Sequence, residues 1–409
     1  MTTLRDEALK IRKEKRGLLE TTPKYTLKTR HDLSVAYTPG VAEPCKDIKE
    51  NKELAFEYTW RGNLVAIVTD GTRVLGLGDI GPDAAMPVME GKAILFKTFG
   101  AVDAVPICLD TKDPEEFIKT VKYLEPSFAG INLEDISSPK CYEIEDRLKA
   151  EMTIPVFHDD QHGTAIAALS ALYGALRFVK KDIKTARILV NGAGAAGAAI
   201  ANLILNAGAT NVILNDHLGI LYEGRDNLNH VQQELVKKTN LDKIQGGLKE
   251  AIQGADVVIG VSAPGVFTKE LVQSMNSDAI VFALANPVPE IFYDEAKEFG
   301  VAIAGTGRSD APNQVNNVTV FPGVFKGAFA VQARQINEEM KLAAAKAIAN
   351  LVTDDELKED YIVPDAFDPR VAPAVAAAVA KTAIDTGVAR LKKDPKEIEL
   401  TVRAEIGRG

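Results

Sequence analysis

The sequence has little cysteine, no excess of basic charge and no long apolar run, and each shortage excludes a class of protein. Its three cysteines, Cys45, Cys108 and Cys141, form no Cys-x-x-Cys pair, which argues against a disulfide framework and for a reducing cytoplasm. The 48 basic residues are outnumbered by 57 acidic ones, and this net charge of −9 disfavours nucleic acid as a partner. No stretch reaches the ~18 to 20 apolar residues of a membrane span, and the start of the chain lacks a signal peptide. We therefore expect a cytoplasmic protein with no membrane or nucleic-acid partner.

What the chain does contain is an alternation of short apolar runs and helical segments. Its 409 residues, 46% of them apolar, are enough for two or three domains. In the first half we predict strands at 64–69, at 104–109 and in runs that end at Asp135 and Asp160. The helices predicted there are 4–20, 86–99, one capped by Asp113, one from Ser138, and a long linking helix at 163–181.

The second half repeats this alternation. Its predicted strands are 186–190, 211–215, 256–261, 279–285 and 301–304, and the chain from Val318 is mostly helical. Strands separated by helices indicate parallel sheets. The sequence therefore predicts an α/β fold with two parallel-sheet domains, the second a Rossmann-type dinucleotide-binding domain, and a helical C-terminal tail. The predicted boundaries are 1–160, 161–385 and 386–409.

A glycine motif follows the first strand of the second half. Gly192 permits a tight turn, Gly194 lets a pyrophosphate approach the backbone, and Gly197 allows close packing of helix on strand. Asp216 ends the next predicted strand, where an acid would bind the ribose hydroxyls of a dinucleotide. The alternative is a tight turn without a ligand, because glycine motifs alone are weak signals.

Two acidic pairs precede this motif, each after a predicted strand. Glu134-Asp135 and Asp159-Asp160 would converge at the carboxyl edge of one sheet, and such hard oxygen ligands suit Mg²⁺ or Mn²⁺. Either pair alone could equally be helix caps or solvated strand ends. His158 and His162 have the spacing of a zinc pair, but they lack the Glu of His-Glu-x-x-His, and a strand end between them would break the helix that this motif needs.

Tyr37, Arg73 and Lys92 are ordinary residues when taken singly: a packed loop tyrosine, an exposed turn arginine and a solvated lysine. Together with their neighbours they form an ordered set of motifs that resembles the malic enzyme family, in its small prokaryotic form, over nearly the entire chain. The motifs are Ser34-Val35-Ala36-Tyr37-Thr38-Pro39-Gly40, Asp70-Gly71-Thr72-Arg73, Gly91-Lys92, Leu133-Glu134-Asp135, His158-Asp159-Asp160-Gln161-His162-Gly163, the glycine motif, Leu284-Ala285-Asn286-Pro287, and Asn316-Asn317 with Phe321-Pro322-Gly323.

This resemblance implies a function and a role for each site residue. The family oxidises L-malate, decarboxylates the bound oxaloacetate and protonates the enolate to pyruvate, with reduction of NAD or NADP and with a divalent metal. Lys92 matches its base, whose pKa must be lowered for that role, and Tyr37 matches the acid that protonates C3. The remaining matches are Glu134, Asp135 and Asp160 for Mg²⁺ or Mn²⁺, Asp159 as a supporting carboxylate, Arg73, Asn286 and Asn317 for substrate, and Asn286 also for the nicotinamide.

The resemblance leaves several points open. Asp216 favours NAD by repelling a 2′-phosphate, yet Arg225 lies near enough in sequence to accommodate one. A malolactic enzyme, a metal-dependent oxaloacetate decarboxylase or a silent NAD-binding sensor would retain many of these residues. The chain also has Asp160-Gln161-His162-Gly163 where larger family members carry Asp-Ile-Gln-Gly. The family suggests a homodimer, in which Tyr37 would reach the site of the neighbouring subunit.

Overall fold

The computed structural model describes residues 3–74 and 76–406, and it contains the two parallel sheets that the sequence predicts. Leu75, which belongs to the motif around Arg73, lies outside the described residues, as do residues 1–2 and 407–409 at the ends of the predicted domains.

Four helices precede the first sheet, and none of them buries a residue within the chain. They are α1 (Leu4–Lys15), α2 (Arg30–Ala36), α3 (Ala42–Glu50) and α4 (Ala55–Tyr58). The helix predicted at 4–20 ends early, because Arg16 and Gly17 take positive φ angles of 58° and 98°.

The first sheet is parallel and has the order β2-β1-β3-β4. Its elements are β1 (Leu64–Thr69), α5 (Gly81–Gly100), β2 (Asp103–Cys108), α6 (Pro114–Leu124), β3 (Gly130–Leu133), α7 (Lys140–Glu151), β4 (Val156–His158) and α8 (Asp159–Val179). Leu133 pairs with His158, so β3 and β4 end side by side. The residues that follow these two ends are therefore neighbours.

Some of the helices in this half begin where the sequence predicts, and others do not. Asp113 caps α6, since its carboxylate accepts from the Glu116 N–H at 3.0 Å and Pro114 follows it. The prediction was wrong at α5 and α8, which begin at Gly81 and Asp159 rather than at residues 86 and 163. Asp159 and Asp160 consequently form the first turn of a helix instead of the end of a strand.

The second sheet has the order β10-β9-β8-β5-β6-β7, and β7 alone among its described strands runs antiparallel to its neighbour. Its elements are β5 (Arg187–Asn191), α9 (Ala195–Asn206), β6 (Asn211–Asp216), β7 (Gly219–Ile220), α10 (His230–Leu235), α11 (Leu248–Ile252), β8 (Val257–Gly260), α12 (Lys269–Val272), β9 (Ile280–Ala283), α13 (Tyr293–Glu298) and β10 (Ile303–Thr306). The central strands β8 and β9 are fully buried apolar runs, which is typical of a parallel sheet covered on both faces.

The chain then returns to the first sheet. The last helices are α14 (Phe321–Ala330), α15 (Glu338–Ala349), α16 (Val371–Asp385) and α17 (Pro395–Ile406). The Phe321 and Phe325 rings of α14 lie 4.5 and 5.3 Å from the Phe96 ring of α5, and Phe325 also meets Phe157 of β4 at 5.7 Å. The C-terminal helices therefore cover the first sheet and join both halves in one core. None of the described helices combines the length and apolar content that a bilayer crossing requires.

Candidate active site

The carboxylates of Glu134, Asp135 and Asp160 meet where β3 ends and α8 begins. One ligand oxygen from each lies within 4.8 Å of the others. The Asp160 carboxylate accepts a hydrogen bond from the Asp135 N–H at 2.8 Å, and Asp135 takes a positive φ of 54° that an aspartate tolerates better than most residues. Three hard oxygen donors so close together fit a Mg²⁺ or Mn²⁺ ion.

Lys92 projects from α5 into the same cluster and is only 7% exposed. Its Nζ contacts the Asp159 carboxylate and donates to Glu134 at 3.1 Å, and it lies 4.0 Å from the centre of the Phe321 ring. Burial by itself would lower the pKa of Lys92, but the negative charges of Asp159 and Glu134 outweigh it and raise that pKa. This direction is opposite to the lowered pKa that we expected for a base.

The carboxylates carry more negative charge than Lys92 can offset. Burial, together with the charges of Glu134 and Asp160, raises the pKa of Asp159 to about 7 despite its contact with Lys92. Burial and the charge of Asp160 likewise raise the pKa of Glu134. A buried site with surplus carboxylates around one ammonium favours a divalent cation, which is a second reason that these residues fit a metal.

His158, which precedes α8, forms no side-chain cap, and a distant glutamate contacts the start of this helix instead. Glu145 of α7, 3% exposed, accepts from the His158 N–H at 3.0 Å, from Gln161 at 3.1 Å and from the His162 ring at 2.9 Å. Lys149 pairs with it at 2.7 Å. Glu145 thereby fixes the turn that carries Asp159 and Asp160, and the sequence gives no local sign of this contact.

The histidines do not form a zinc pair in the described structure. His158 Nε2 lies 3.3 Å from Asp160 and its Nδ1 lies 3.0 Å from Gln161. His162 instead contacts Glu145 and the Lys341 ammonium, the latter at 3.0 Å. The strand ends at His158 and α8 begins at Asp159, so the two histidines do not lie on one helix.

The glycine motif forms the turn between β5 and α9. Gly192 has a φ of 111°, and a Cβ there would lie 2.5 Å from the Val261 carbonyl oxygen. A Cβ at Gly197 would collide with the Gly192 carbonyl, so the helix packs closely on the turn. The space beside Gly194, which precedes α9, is open to 4 Å. This geometry suits a pyrophosphate at a helix N-terminus.

Asp216 ends β6 and is paired with Arg225. The Arg225 guanidinium binds the Asp216 carboxylate and also donates to the Gly219 and Ile220 carbonyls at 2.9 and 3.2 Å. The other Asp216 oxygen accepts from the Leu218 N–H at 2.8 Å. Asp216 and Arg225, the two residues that would contact the 2′ position of a dinucleotide, therefore neutralise each other's charge.

The predicted substrate residues come from three separate segments. Asn317 donates to the Asp159 carboxylate and so belongs to the Lys92 cluster. Arg73 has an exposed side chain, and its backbone N–H donates to the Asp135 carbonyl at 2.9 Å. Asn286 is exposed as well, and its amide donates to the Leu284 carbonyl at 3.4 Å.

Tyr37 is not brought to Lys92 within the chain. Its side chain is 66% exposed, and among the described residues it forms no hydrogen bond with Lys92, Asp159 or Asn317. Leu33 and Val35, on the helix α2 that directly precedes Tyr37, are each 50% exposed. An apolar surface around Tyr37 thus remains uncovered in the single chain.

Comparison with known proteins agrees with this geometry. The model of the malic enzyme N-terminal domain matches residues 16–149, and that of the malic enzyme NAD binding domain matches residues 161–384. The bifunctional malic/malolactic enzyme of Bacillus subtilis is 56% identical over 397 residues, 97% of each chain. The NAD-dependent malic enzyme of Geobacillus stearothermophilus is 55% identical over 379 residues, 93% of this chain and 79% of its own.

A solved structure agrees with these sequence matches. The crystal structure of the malic enzyme from Pyrococcus horikoshii has a TM-score of 0.95 and 47% identity, covering 99% of this chain and 96% of its own. Its fold, the two domain models and the close relatives all lead to the same assignment. The chain belongs to the malic enzyme family, the NAD(P)-dependent oxidoreductases that decarboxylate malate.

Proposed function

We propose that this protein oxidises L-malate at C2 with NAD or NADP, decarboxylates the bound oxaloacetate and protonates the enolate to give pyruvate. The observation that carries the proposal is the group formed by the buried Lys92, Glu134 and Asp135 with the partly exposed Asp160, in a chain that also matches an NAD binding domain. Glu134, Asp135 and Asp160 would hold Mg²⁺ or Mn²⁺. When bound, that ion polarises the C2 oxygen and stabilises the enolate left by loss of CO₂.

Lys92 is the group that takes the proton of the C2 hydroxyl. In the structure, Asp159 and Glu134 keep its ammonium protonated. Once the charge of these carboxylates is offset, burial remains as the main influence, and burial lowers the pKa of a lysine. Asn317, which donates to Asp159, helps to orient that carboxylate beside Lys92. Arg73 suits a malate carboxylate, because its guanidinium can bind both oxygens.

Tyr37 is the acid that we assign to C3, and we propose that it acts in a neighbouring subunit of a homodimer. Its exposed ring, with the half-exposed Leu33 and Val35, forms a surface that a second copy of the chain could cover. Helices α1 to α3 bury no residue of their own chain, which supports the same assignment.

NAD is the cofactor that we favour over NADP. Asp216 would repel a 2′-phosphate, and its contact with Arg225 occupies the guanidinium that would otherwise attract one. The setting that we propose is the cytoplasm, since Cys45, Cys108 and Cys141 are free thiols.

Malolactic turnover is the second candidate, and the bifunctional name of the Bacillus subtilis relative favours it. In that reaction the nicotinamide is reduced and reoxidised in place, and L-lactate is released without net redox change. Metal-dependent oxaloacetate decarboxylation would use the same carboxylates.

One set of assays separates these reactions. The purified protein is given L-malate, Mn²⁺ and either NAD or NADP, and reduced nicotinamide, pyruvate, lactate and CO₂ are measured. Equal amounts of reduced nicotinamide and pyruvate, lost on chelation of the metal, would support oxidative decarboxylation. Lactate without net nicotinamide reduction would identify the malolactic reaction, and absence of malate-dependent CO₂ would leave a binding protein.

A further inference from the structure

A row of hydrogen-bonded polar side chains crosses the carboxyl ends of four neighbouring strands of the second sheet. Asn215 at the end of β6 donates to Asn191 of β5 at 2.8 Å, and Asn191 donates to the Ser262 hydroxyl at 2.8 Å. Ser262, just beyond β8, donates in turn to Glu290 at 3.1 Å, and Glu290 follows β9. Since β6, β5, β8 and β9 are consecutive in the sheet, the row spans the whole edge at which a dinucleotide binds.

Glu290 is the end of this row and joins two strand ends. Its side chain is 0% exposed, one carboxylate oxygen accepts from the Ser262 N–H at 2.6 Å, and the other accepts from the Ala285 N–H at 3.0 Å. A Cβ at Gly260 would lie 2.6 Å from the Glu290 carboxyl carbon, so the glycine leaves room for this group. All these hydrogen bonds come from neutral donors. Because a buried carboxylate is costly, these donors must offset the free energy of burying it.

Ala285, whose N–H donates to Glu290, directly precedes Asn286. We call residues 284–290 the Asn286 loop. Its Pro287 carbonyl accepts from Arg308 at 3.1 Å, and the Pro287 ring lies 2.8 Å from where a Cβ of Gly76 would be. The loop therefore touches the segment of the first half that carries Arg73. Among the described residues, the Asn286 amide has only a long hydrogen bond of 3.4 Å, so we take its position to depend on the backbone of this loop.

We propose that Glu290 is a positioning residue that fixes the Asn286 loop against the end of β8 and, through Ser262, Asn191 and Asn215, ties it to the adenosine end of the cofactor site. This inference rests on the proposed function, because it takes Asn286 as a residue that orients nicotinamide and substrate. An apolar side chain would fill the same volume without the cost of a buried charge. A carboxylate is needed here because only it accepts on both sides at once.

The substitution that tests this inference is Glu290→Gln. The amide keeps the shape but can accept from either Ser262 or Ala285, not from both. We expect NADH to bind about tenfold more weakly and hydride transfer in a single turnover to slow on the order of 10- to 100-fold, since small misplacements are that costly. Mn²⁺ affinity should stay unchanged, because its candidate ligands lie at the edge of the first sheet, after β3 and at the start of α8. Glu298→Gln, at an exposed position of α13, is the matched control and should change nothing.

Equal losses in Mn²⁺ affinity and hydride transfer would overturn the inference, since they would indicate general damage to the fold. Unchanged NADH binding and hydride transfer would also overturn it. If Glu290→Gln does not fold, Ser262→Ala removes only a hydroxyl of the same row. Weaker NADH binding in that variant at unchanged Mn²⁺ affinity supports the inference, and unchanged NADH binding overturns it. A wild-type protein that binds NADH but does not turn over malate would contradict the proposed function, and NADH binding would still decide the role of Glu290.

Discussion

The side-chain nitrogen of Lys92 lies 4.0 Å from the centre of the Phe321 ring, so a helix from the C-terminal part of the chain completes the surroundings of a lysine in the first half. The ring covers one side of the ammonium and attracts its charge. Asp159 and Glu134 take the other side. Groups that lie far apart in the sequence therefore flank the lysine on two sides, and the packing of α14 on α5 completes its surroundings.

Replacing Lys92 by alanine tests its role as base. We expect turnover of malate to fall on the order of 10²- to 10⁴-fold, the usual contribution of a general base, while NADH affinity stays near that of the wild type. Without metal, the variant should also be less stable by about 3 to 5 kcal/mol, because buried carboxylates lose their partner. Steady-state kinetics and urea unfolding measure both effects. Lys97→Ala, on the exposed side of α5, is the control, and a loss in turnover below about tenfold would contradict the assignment.

The candidate metal ligand Asp160 is tested with Asp160→Asn. Oxidation of malate and decarboxylation of added oxaloacetate should both be lost, since both need the cation. Mn²⁺ affinity, measured by calorimetry without substrate, should fall by more than about tenfold, the smallest cost typical of outer-shell substitutions. Asp110→Asn changes an exposed aspartate just beyond β2 and should have no effect. Normal Mn²⁺ affinity in Asp160→Asn would remove Asp160 from the ligand set.

Cofactor preference should respond to the contact between Asp216 and Arg225. Asp216→Ala removes a charge that repels the 2′-phosphate and also frees the Arg225 guanidinium, so NADP should gain relative to NAD. The double variant Asp216→Ala/Arg225→Ala should lose much of that gain. The measurement is kcat/KM for both cofactors at saturating malate. If the wild type already prefers NADP, the assignment of Asp216 as the selective residue is wrong.

The buried histidine His162 predicts a pH dependence of stability. Burial, with the charges of Lys341 and Lys149 adding to it and Glu145 opposing, lowers its pKa from 6.5 to about 3. Below pH 6.5, His162 is protonated in the unfolded chain but not in the folded one. The contribution of the neutral, buried His162 to stability is therefore complete above pH 6.5 and is lost as the pH falls. At pH 5 the loss amounts to about 2 kcal/mol.

Urea unfolding between pH 7 and pH 5 measures this loss. His162→Gln should have a flatter dependence over that interval than the wild type. His31→Gln, at an exposed histidine, should keep the wild-type slope. Equal slopes in all three proteins would mean that folding does not lower the pKa of His162.

Local sequence patterns were sufficient to predict the two sheets and the positions of most strands, because buried parallel strands are short apolar runs with clear ends. The same patterns predicted the cap at Asp113, whose partner lies three residues away. They failed at the start of α8. Glu145, on another helix, accepts from the His158 N–H just before that helix begins and from the Gln161 side chain in its first turn, and contacts between helices leave no mark in local sequence.

The candidate active site, like the fold, was predicted from the sequence only in part. The acidic pairs were recognised from their positions after predicted strands and Lys92 through family motifs, and the structure brings them together. The raised pKa of Lys92 was not predicted, because it depends on the number of carboxylates around one ammonium. Glu145 and Glu290 were missed because neither belongs to a recognised motif, and their partners lie in other elements.

Tyr37 provides the last prediction, since its assigned role separates steps within the catalytic cycle. Tyr37→Phe keeps the ring and removes the phenolic proton that we assign to C3 of the enolate. Hydride transfer should survive in a single turnover, whereas steady-state formation of pyruvate should fall on the order of 10²-fold or more. Enolpyruvate added directly should ketonise no faster than without enzyme. Slower hydride transfer with intact ketonisation would instead assign Tyr37 to the oxidation step.

Mixed dimers then decide which subunit Tyr37 serves. Tyr37→Phe and Lys92→Ala subunits are inactive alone, but a mixed dimer with shared sites contains one complete pair, Lys92 from one chain and Tyr37 from the other. Random mixing of equal amounts should therefore restore about a quarter of wild-type activity, as expected for a two-fold symmetric dimer. If Tyr37 served its own chain, every site in the mixture would lack one of the two groups. The exposed ring of Tyr37 in the single chain leads us to expect restored activity.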